Sequence, residues 1–366
     1  QFLITKVVNS NHWNMWDSMR GVTTGGNDSR LYPNLGNAEN FSEKIEFNST
    51  GFQIKSSSIS INTSGVETIY MAIRAPMMVE PEAATDVFAI NTYGSNRNAE
   101  LTDAFYANFP VDMAFWTNIG GDNRKLATRL TGEKYLQIDS AGAEQADSEY
   151  DFDSSTHWYS SGGSNNASDT DLVSWMWKRA KGYFDVVAYS GSGSNRTLPH
   201  SLSVIPEMIW VKSRSNVKSF GVYHPSSHAA GNTIFIDNDH AGAGVGGFQS
   251  TAVSATTFNV DTAEYTNESG WTYIAFLFAS LDGISKVGSY TGNGSSQTIS
   301  CGFSAGARFI LIKRIGVAGD WFFWDSVRGI VAGNDPHFSL NTTATHVTTD
   351  DSVDPHNSGF IVNQVS

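Results

Sequence analysis

Two aspartate–arginine pairs occur at identical spacing near opposite ends of the chain. Asp17 and Arg20 lie in one Trp-x-x-Trp-Asp-Ser-x-Arg-Gly block, and Asp325 and Arg328 lie in a second. A carboxylate three residues before a guanidinium can close a turn through charge-assisted hydrogen bonds, or it can contact a ligand. A weaker occurrence of the block has His224 at the aspartate position, and a catalytic group should not vary in this way. We therefore interpret both pairs as structural turns.

Aromatic residues divide into two groups with different expected roles. Trp158 and Tyr159 lie in a polar stretch between Asp151 and Asp171 that is rich in Ser, Gly and Asn. Such a stretch is typical of a long loop, and an exposed aromatic pair there predicts stacking on a sugar ring. The second group belongs to the repeated blocks, and large aromatics fill β-sandwich cores well. Its members are predicted core anchors: Trp13, Trp16, Trp321 and Trp324.

Two acidic clusters contain the oxygen ligands that Ca²⁺ prefers. One is Asp151 and Asp153, with the segment 169–171 nearby, and the other is Asp237 and Asp239. Neither cluster has the spacing of an EF-hand loop. We interpret both as solvated turns, and Ca²⁺ is the one cofactor for which the sequence has a candidate site.

Catalytic motifs are missing from the sequence. It has no Gly-x-Ser-x-Gly elbow in a strand–helix setting and no Cys-x-x-Cys, and its Gly-x-Gly segments precede no predicted helix. We therefore predict a protein that is not an enzyme. A polysaccharide depolymerase stays open as the third alternative, because two suitably placed carboxylates suffice for glycoside hydrolysis.

Composition restricts the partners. The 366 residues have a formal net charge of −13 and no basic run, whereas nucleic acids require clustered Lys and Arg. The longest apolar run, 273–281, is about half of what a bilayer requires. The expected partners are other copies of the chain, other proteins of the same assembly and a host-surface glycan, with no nucleic acid and no membrane insertion.

The chain repeats internally. An apolar strand precedes each aromatic block, and aligning Ile4, Met113, Ile209 and Ile310 gives a period of about 100 residues. We predict four copies: copy A (1–75), which lacks its first strand, copy B (76–182), which is divergent, copy C (183–282), and copy D (283–366), which lacks its last strand.

Local patterns favour strands throughout. Short apolar runs such as 209–211 and 310–312 suit strands buried on both faces, and Gly-Asn-Gly at 292–294 is a turn sequence. No segment shows a capped helical period. The predicted fold class is all-β, with tandem sandwiches of Greek-key or jelly-roll type.

The repeat resembles one found in long bacteriophage tail-fibre and virion proteins. The shared elements are an Ile-x-Val-Lys-Arg strand, the Trp-x-x-Trp-Asp-Ser-x-Arg-Gly block, Leu-x-x-Asn, Gly-Phe, and a closing Asn-x-Ser-Gly before a Tyr-Ile strand. The match is strongest over 3–74 and 283–363, and copy B lacks the aromatic block. This resemblance implies lectin-like (concanavalin-type) sandwich repeats on a virion tail or another extracellular appendage. The implied function is host-surface attachment, and the alternative is a purely structural filament or virion subunit.

The incomplete outer copies lead to a further expectation. A sandwich that lacks one strand exposes unpaired backbone groups, and such an edge invites another strand. We expect unfinished edges near Leu3 and near Ile361. Either a neighbouring segment of a longer protein or head-to-tail association of subunits would complete them.

Overall fold

The computed structural model describes residues 1–8, 12–18, 20, 22, 28–48, 51–74, 78–92, 104–146, 150–160, 171–229, 233–242, 244, 246–249 and 253–363. Within these residues the protein consists mostly of antiparallel β-strands, as the sequence predicts. In the described part of the chain, helical turns are confined to a 3-10 turn (Ala84–Asp86), α1 (Pro225–Ala229) and α2 (Glu264–Asn267).

The strands are numbered along the chain. Copy A contains β1 (Phe2–Val7), β2 (Asn14–Asp17), β3 (Asp28–Arg30), β4 (Asn40–Ser42), β5 (Ile45–Asn48), β6 (Gly51–Ile54) and β7 (Thr68–Ile73). Copy B contains β8 (Phe88–Thr92), β9 (Ala104–Tyr106), β10 (Met113–Asn118), β11 (Lys125–Thr128), β12 (Lys134–Gln137), β13 (Gln145–Ala146), β14 (Tyr150–Asp151), β15 (His157–Ser160) and β16 (Leu172–Trp177). Copy C contains β17 (Phe184–Ser190), β18 (Arg196–Pro199), β19 (Met208–Ser213), β20 (Gly221–Tyr223), β21 (Ile234–Phe235), β22 (Thr257–Val260) and β23 (Thr272–Phe278). Copy D contains β24 (Gln297–Ser300), β25 (Phe309–Lys313), β26 (Trp321–Asp325), β27 (His337–Ser339), β28 (Val353–His356) and β29 (Gly359–Val362).

The larger sheets of the copies share one strand order. In copy B the order begins β8-β16-β10-β11-β12, and in copy C it is β17-β23-β19-β20-β21. Copy A has the middle part of this order, β7-β1-β2, and copy D has β25-β26-β27. In the larger sheets of copies B and C, the last strand along the chain (β16 or β23) therefore lies between the first strand (β8 or β17) and the strand of the Ile-x-Val-Lys type (β10 or β19).

The strand register corrects the alignment of the copies by one residue. Leu3 pairs with Trp16, as Ile310 pairs with Trp324. Leu3, and not Ile4, therefore corresponds to Ile310. Leu3 is fully buried, whereas Ile4 is half-buried on the opposite face of the sheet, because successive side chains on a strand alternate.

Each copy also contains a smaller sheet. These sheets are β5-β6 in copy A, β14-β15-β9 in copy B, β18-β22 in copy C and β24-β29-β28 in copy D. In each copy one buried apolar cluster contains side chains from both sheets, for example Ile209 of β19 with Phe258 of β22, and Ile310 of β25 with Phe360 of β29.

Copies B, C and D share a further core, which we call the central core. It is built from the other faces of their larger sheets. Phe115 of copy B lies 5.6 Å from Phe323 of copy D between ring centroids, and Trp210 and Phe276 of copy C belong to the same cluster. No residue of copy A belongs to this cluster as described. Burial on both faces explains why these strands read as continuous apolar runs.

Polar contacts around the central core follow a cycle. Lys212 Nζ of copy C donates to the carbonyl of Ala141 in copy B at 2.7 Å, and Lys313 Nζ of copy D donates to the carbonyl of Asp239 in copy C at 3.0 Å. The guanidinium of Arg124 in copy B donates to the carbonyl of Ala344 in copy D. Each copy thus contacts the next, and the third contact returns to the first copy.

The open sheet edges lie elsewhere than expected. Strand β1, with Leu3, pairs on both sides, with β2 and β7, and β29, with Ile361, pairs with β24 and β28. The expectation of open edges near these two residues is therefore wrong. Within the described residues, β7 in copy A and β25 in copy D each have one unpaired edge in the larger sheet. The corresponding strands of copy C, β23 and β19, have a neighbouring strand on that side.

Candidate functional site

The Asp325–Arg328 pair closes a turn at the end of β26. Asp325 Oδ1 accepts hydrogen bonds from the backbone N–H groups of Val327 (3.0 Å) and Arg328 (2.9 Å), and Oδ2 accepts one from Arg328 Nε at 2.6 Å. Trp175 Nε1, from copy B, also donates to Oδ2 at 3.2 Å. A carboxylate with four donors and no solvent exposure holds local structure and joins two copies.

The guanidinium of Arg328 stacks against the central core. Its central carbon lies 4.3 Å from the ring centroid of Phe338 and 5.5 Å from that of Trp175. The two terminal nitrogens are enclosed, and they have no hydrogen-bond partner in the described part of the chain. Burial lowers the pKa of Arg328, while the charge of Asp325 raises it. Arg328 therefore acts as a buried cation in the packing.

The matching pair in copy A is more exposed. Arg20 donates from its backbone N–H to Asp17 Oδ1 at 2.9 Å and from Nε to Asp17 Oδ2 at 2.7 Å. Its Nη1 also donates to Glu39 Oε1 at 3.0 Å. The local geometry is the expected turn.

Three of the four block tryptophans lie in the core. Trp16, Trp321 and Trp324 are at most 5% exposed. Trp13 is only half-buried, so its assignment as a core residue is wrong. It lies on the same face of its sheet as Ile4. Nothing in the described structure covers that face, whereas the central core covers the corresponding faces of copies B, C and D.

The expected sugar-stacking pair lies in a strand. Trp158 is fully buried in β15, stacks on Phe105 with ring centroids 5.2 Å apart, and donates from Nε1 to Ser174 Oγ at 3.0 Å. Because residues alternate along the strand, Tyr159 points to the other face and is half-buried. The prediction of an exposed pair in a loop is therefore wrong for Trp158, which no ligand can reach.

The acidic cluster at Asp151 and Asp153 forms a local turn, in which the Asp153 backbone N–H donates to Asp151 Oδ1 at 2.6 Å. Partial burial, and next the charge of Asp151, raise the pKa of Asp153 to about 6. Asp169 lies outside the described residues. Across the described chain, no group of three or more His, Cys, Asp or Glu side chains is placed to hold a metal ion.

Asp237 has a structural hydrogen-bond partner. Its Oδ1 accepts the backbone N–H of Phe220 at 3.1 Å, and burial raises its pKa. Asp239 lies two residues later and contributes its carbonyl to Lys313. The Asp237 contact recurs in every copy: an Asn or Asp Oδ1 accepts a backbone N–H at the start of the second strand of the block. The four pairs are Asn34 with Trp13, Asp139 with Arg124, Asp237 with Phe220, and Asn341 with Trp321.

This recurrent contact was only partly visible in the sequence. Asn34 follows Leu31 and Asn341 follows Leu340 in the two matching blocks, but Asp139 and Asp237 do not share the amide. An oxygen acceptor at this position is what the fold requires, and both residue types supply it.

An apolar surface on copy A is the candidate functional site. We call it the open face, defined by Ile4, Trp13, Pro33, Ile69, Met71 and Ile73. Its strand β7 exposes Ile69 (48%), Met71 (51%) and Ile73 (55%), and a surface pocket of about 310 Å³ lies among Ile4, Trp13, Pro33 and Asn34. Contiguous exposed apolar side chains commonly mark an interaction surface.

A second, smaller pocket of about 190 Å³ lies where copies B and D meet. Its lining includes Thr92, Asp171, Arg328 and His346. Pockets that enclose small molecules usually reach about 300–1,000 Å³, so this one offers little room.

Comparison with known proteins identifies a family. A family described as a domain of unknown function (DUF7483) matches residues 1–76 and 120–366. The chain belongs to this family. No curated protein and no solved structure matches the DUF7483 chain. Among the described residues no helix has the length and apolar character needed to cross a membrane.

Proposed function

We propose that the protein is a structural component of a virion tail fibre or a comparable extracellular appendage, and that it is built from four copies of one β-sandwich repeat. The common strand order of the larger sheets supports the repeat, as does the Asn or Asp contact found in every copy. The buried clusters between larger and smaller sheets support the sandwich.

One observation supports the structural role: copies B, C and D each bury one sheet face in the central core. The contacts from Lys212, Lys313 and Arg124 connect the three copies in a cycle. Such an arrangement gives a rigid body from weak individual repeats, because each copy covers apolar surface of the others. A load-carrying or spacing element requires this rigidity.

Host-surface attachment is the task that we propose for this body. Repetition multiplies weak contacts into avidity, which suits glycan recognition. Since Trp158 is buried, a sugar would contact other side chains than those that the sequence suggested. We propose no enzymatic role, because the carboxylates of the aromatic blocks and of the acidic turns are engaged in structural hydrogen bonds.

Electron microscopy of particles from the source, labelled with an antibody against the chain, tests the proposal. Label along a tail fibre or appendage is expected, and label confined to a cellular compartment would contradict it. A glycan array then separates attachment from the purely structural alternative. Release of reducing sugar from host polysaccharide would establish the third alternative, a depolymerase.

A further inference from the structure

The open face of copy A corresponds, residue by residue, to the faces that form the central core. Ile4 pairs with Met71 across β1 and β7, as Trp210 pairs with Phe276 across β19 and β23. Trp210 and Phe276 both lie in the central core and are at most 4% exposed. The same sheet face is thus buried in copy C and open to solvent in copy A.

The second strand of the block gives the same result. The Trp321 backbone N–H donates to Asn341 Oδ1, and Trp321 lies in the central core at 1% exposure. Trp13 has the equivalent contact from Asn34 but is half-buried and borders the surface pocket. The larger sheet of copy A therefore has the side chains of a core-forming face. In the described structure, no two other faces of this kind pack against it as they do in the central core.

Polar groups for the cyclic contacts are also present in copy A. Lys6 pairs with Ile69 as Lys212 pairs with Ile274, so Lys6 stands where Lys212 stands in copy C. Lys212 also donates to a carbonyl of its own copy, that of Lys218, and Lys6 Nζ donates to that of Val7 at 2.8 Å.

The acceptor loop has its counterpart as well. Asp239, whose carbonyl accepts Lys313, lies two residues after Asp237. In copy A, two residues after Asn34, the corresponding residue is Gly36, which is exposed.

We propose that three copies of the chain associate through their open faces, in the arrangement that copies B, C and D adopt within one chain. Lys6 of each protomer then donates to the carbonyl of Gly36 in the next, and the third contact closes a ring. A head-to-tail contact that closes gives cyclic symmetry, and the precedent inside the chain closes at three. This inference rests on the repeat architecture proposed above.

The mass of the full chain in solution is the decisive measurement. Light scattering coupled to size-exclusion chromatography, with native mass spectrometry, should give three times the chain mass at micromolar concentration. Met71→Glu places a charge in the open face and should give a monomer. Val217→Glu, at an exposed aliphatic residue of copy C, is the matched control and should leave the trimer intact. A monomeric or dimeric wild type would overturn the proposal.

Folding of the variants is checked by circular dichroism. If Met71→Glu unfolds, Ile69→Glu, also on the open face, replaces it and should likewise give a monomer. A trimeric, folded Ile69→Glu variant would contradict association through this face.

The cyclic geometry has its own test. Lys6→Met should weaken the trimer at least tenfold in dissociation constant, whereas Lys286→Met, at an exposed lysine of copy D, should not change it. Equal dissociation constants for the two variants would exclude the proposed ring. These results are independent of the microscopy, because labelling of the particle reports where the chain is and the mass reports how it associates.

Discussion

The same aspartate–arginine motif serves in two environments. Asp17 and Arg20 retain 25% and 16% of their side-chain exposure, whereas Asp325 and Arg328 retain 0% and 7%. Water partly screens the first pair. The second pair depends on the protein for every contact, so the loss of one partner leaves an uncompensated charge in the interior.

Removal of one carboxylate charge from each pair should therefore have unequal effects. Asp325→Asn is expected to lower the free energy of unfolding by about 3–5 kcal/mol, because it leaves the guanidinium of Arg328 buried without its counter-charge. Asp17→Asn, in the matched motif, should cost about 0–1 kcal/mol. Urea denaturation followed by tryptophan fluorescence measures both values. Equal costs would mean that burial does not distinguish the two pairs.

Residue types alone could not separate exposed from buried aromatics. The turn geometry of Asp17 and Asp325 follows from local spacing and is readable in the sequence. The position of Trp158 depends on a strand within a polar segment, where its alternation is too short to recognise. The exposure of Trp13 depends on which neighbours cover its sheet, and no local pattern contains that information.

At the scale of elements, one strand type occurs with and without its neighbour. Strand β19 lies between β23 and β20, and every residue from Ile209 to Ser213 is buried. Strand β25 has β26 on one side, and Leu311 and Ile312 remain half-buried. The sequence allowed the prediction that copy D lacks its closing strand. It could not locate the open edge, since the closing strand inserts between two strands that precede it in the chain.

Hydrogen exchange should reveal this edge. Alternate backbone N–H groups of an antiparallel strand point to opposite neighbours, so about half of those in β25 face the open side. We expect the peptide covering Phe309–Lys313 to exchange several of its amides at least tenfold faster than the peptide covering Met208–Ser213. Exchange followed by mass spectrometry measures both in one sample. Equal protection would show that another segment pairs with β25 in solution.

For the whole molecule, the distribution of buried apolar residues predicts two units of unequal stability. The central core joins copies B, C and D, and Phe323 lies fully buried within it. Copy A depends on its own small cluster, in which Leu3 is fully buried. The apolar runs in the sequence indicated strands that are buried on both faces. They could not show that three of the four copies share one core, because this depends on packing between segments that are distant in the chain.

Differential scanning calorimetry should accordingly show two transitions, a large one for copies B to D and a small one for copy A. Phe323→Ala should lower the larger transition, at a cost of about 3–5 kcal/mol, and leave the smaller one in place. Leu3→Ala, at about 2–5 kcal/mol, should do the reverse. If three chains associate through copy A, only the smaller transition should rise in temperature with protein concentration, because association stabilises the part that it buries. A single transition shifted by both substitutions would mean that copy A is energetically coupled to the central core despite its separate cluster.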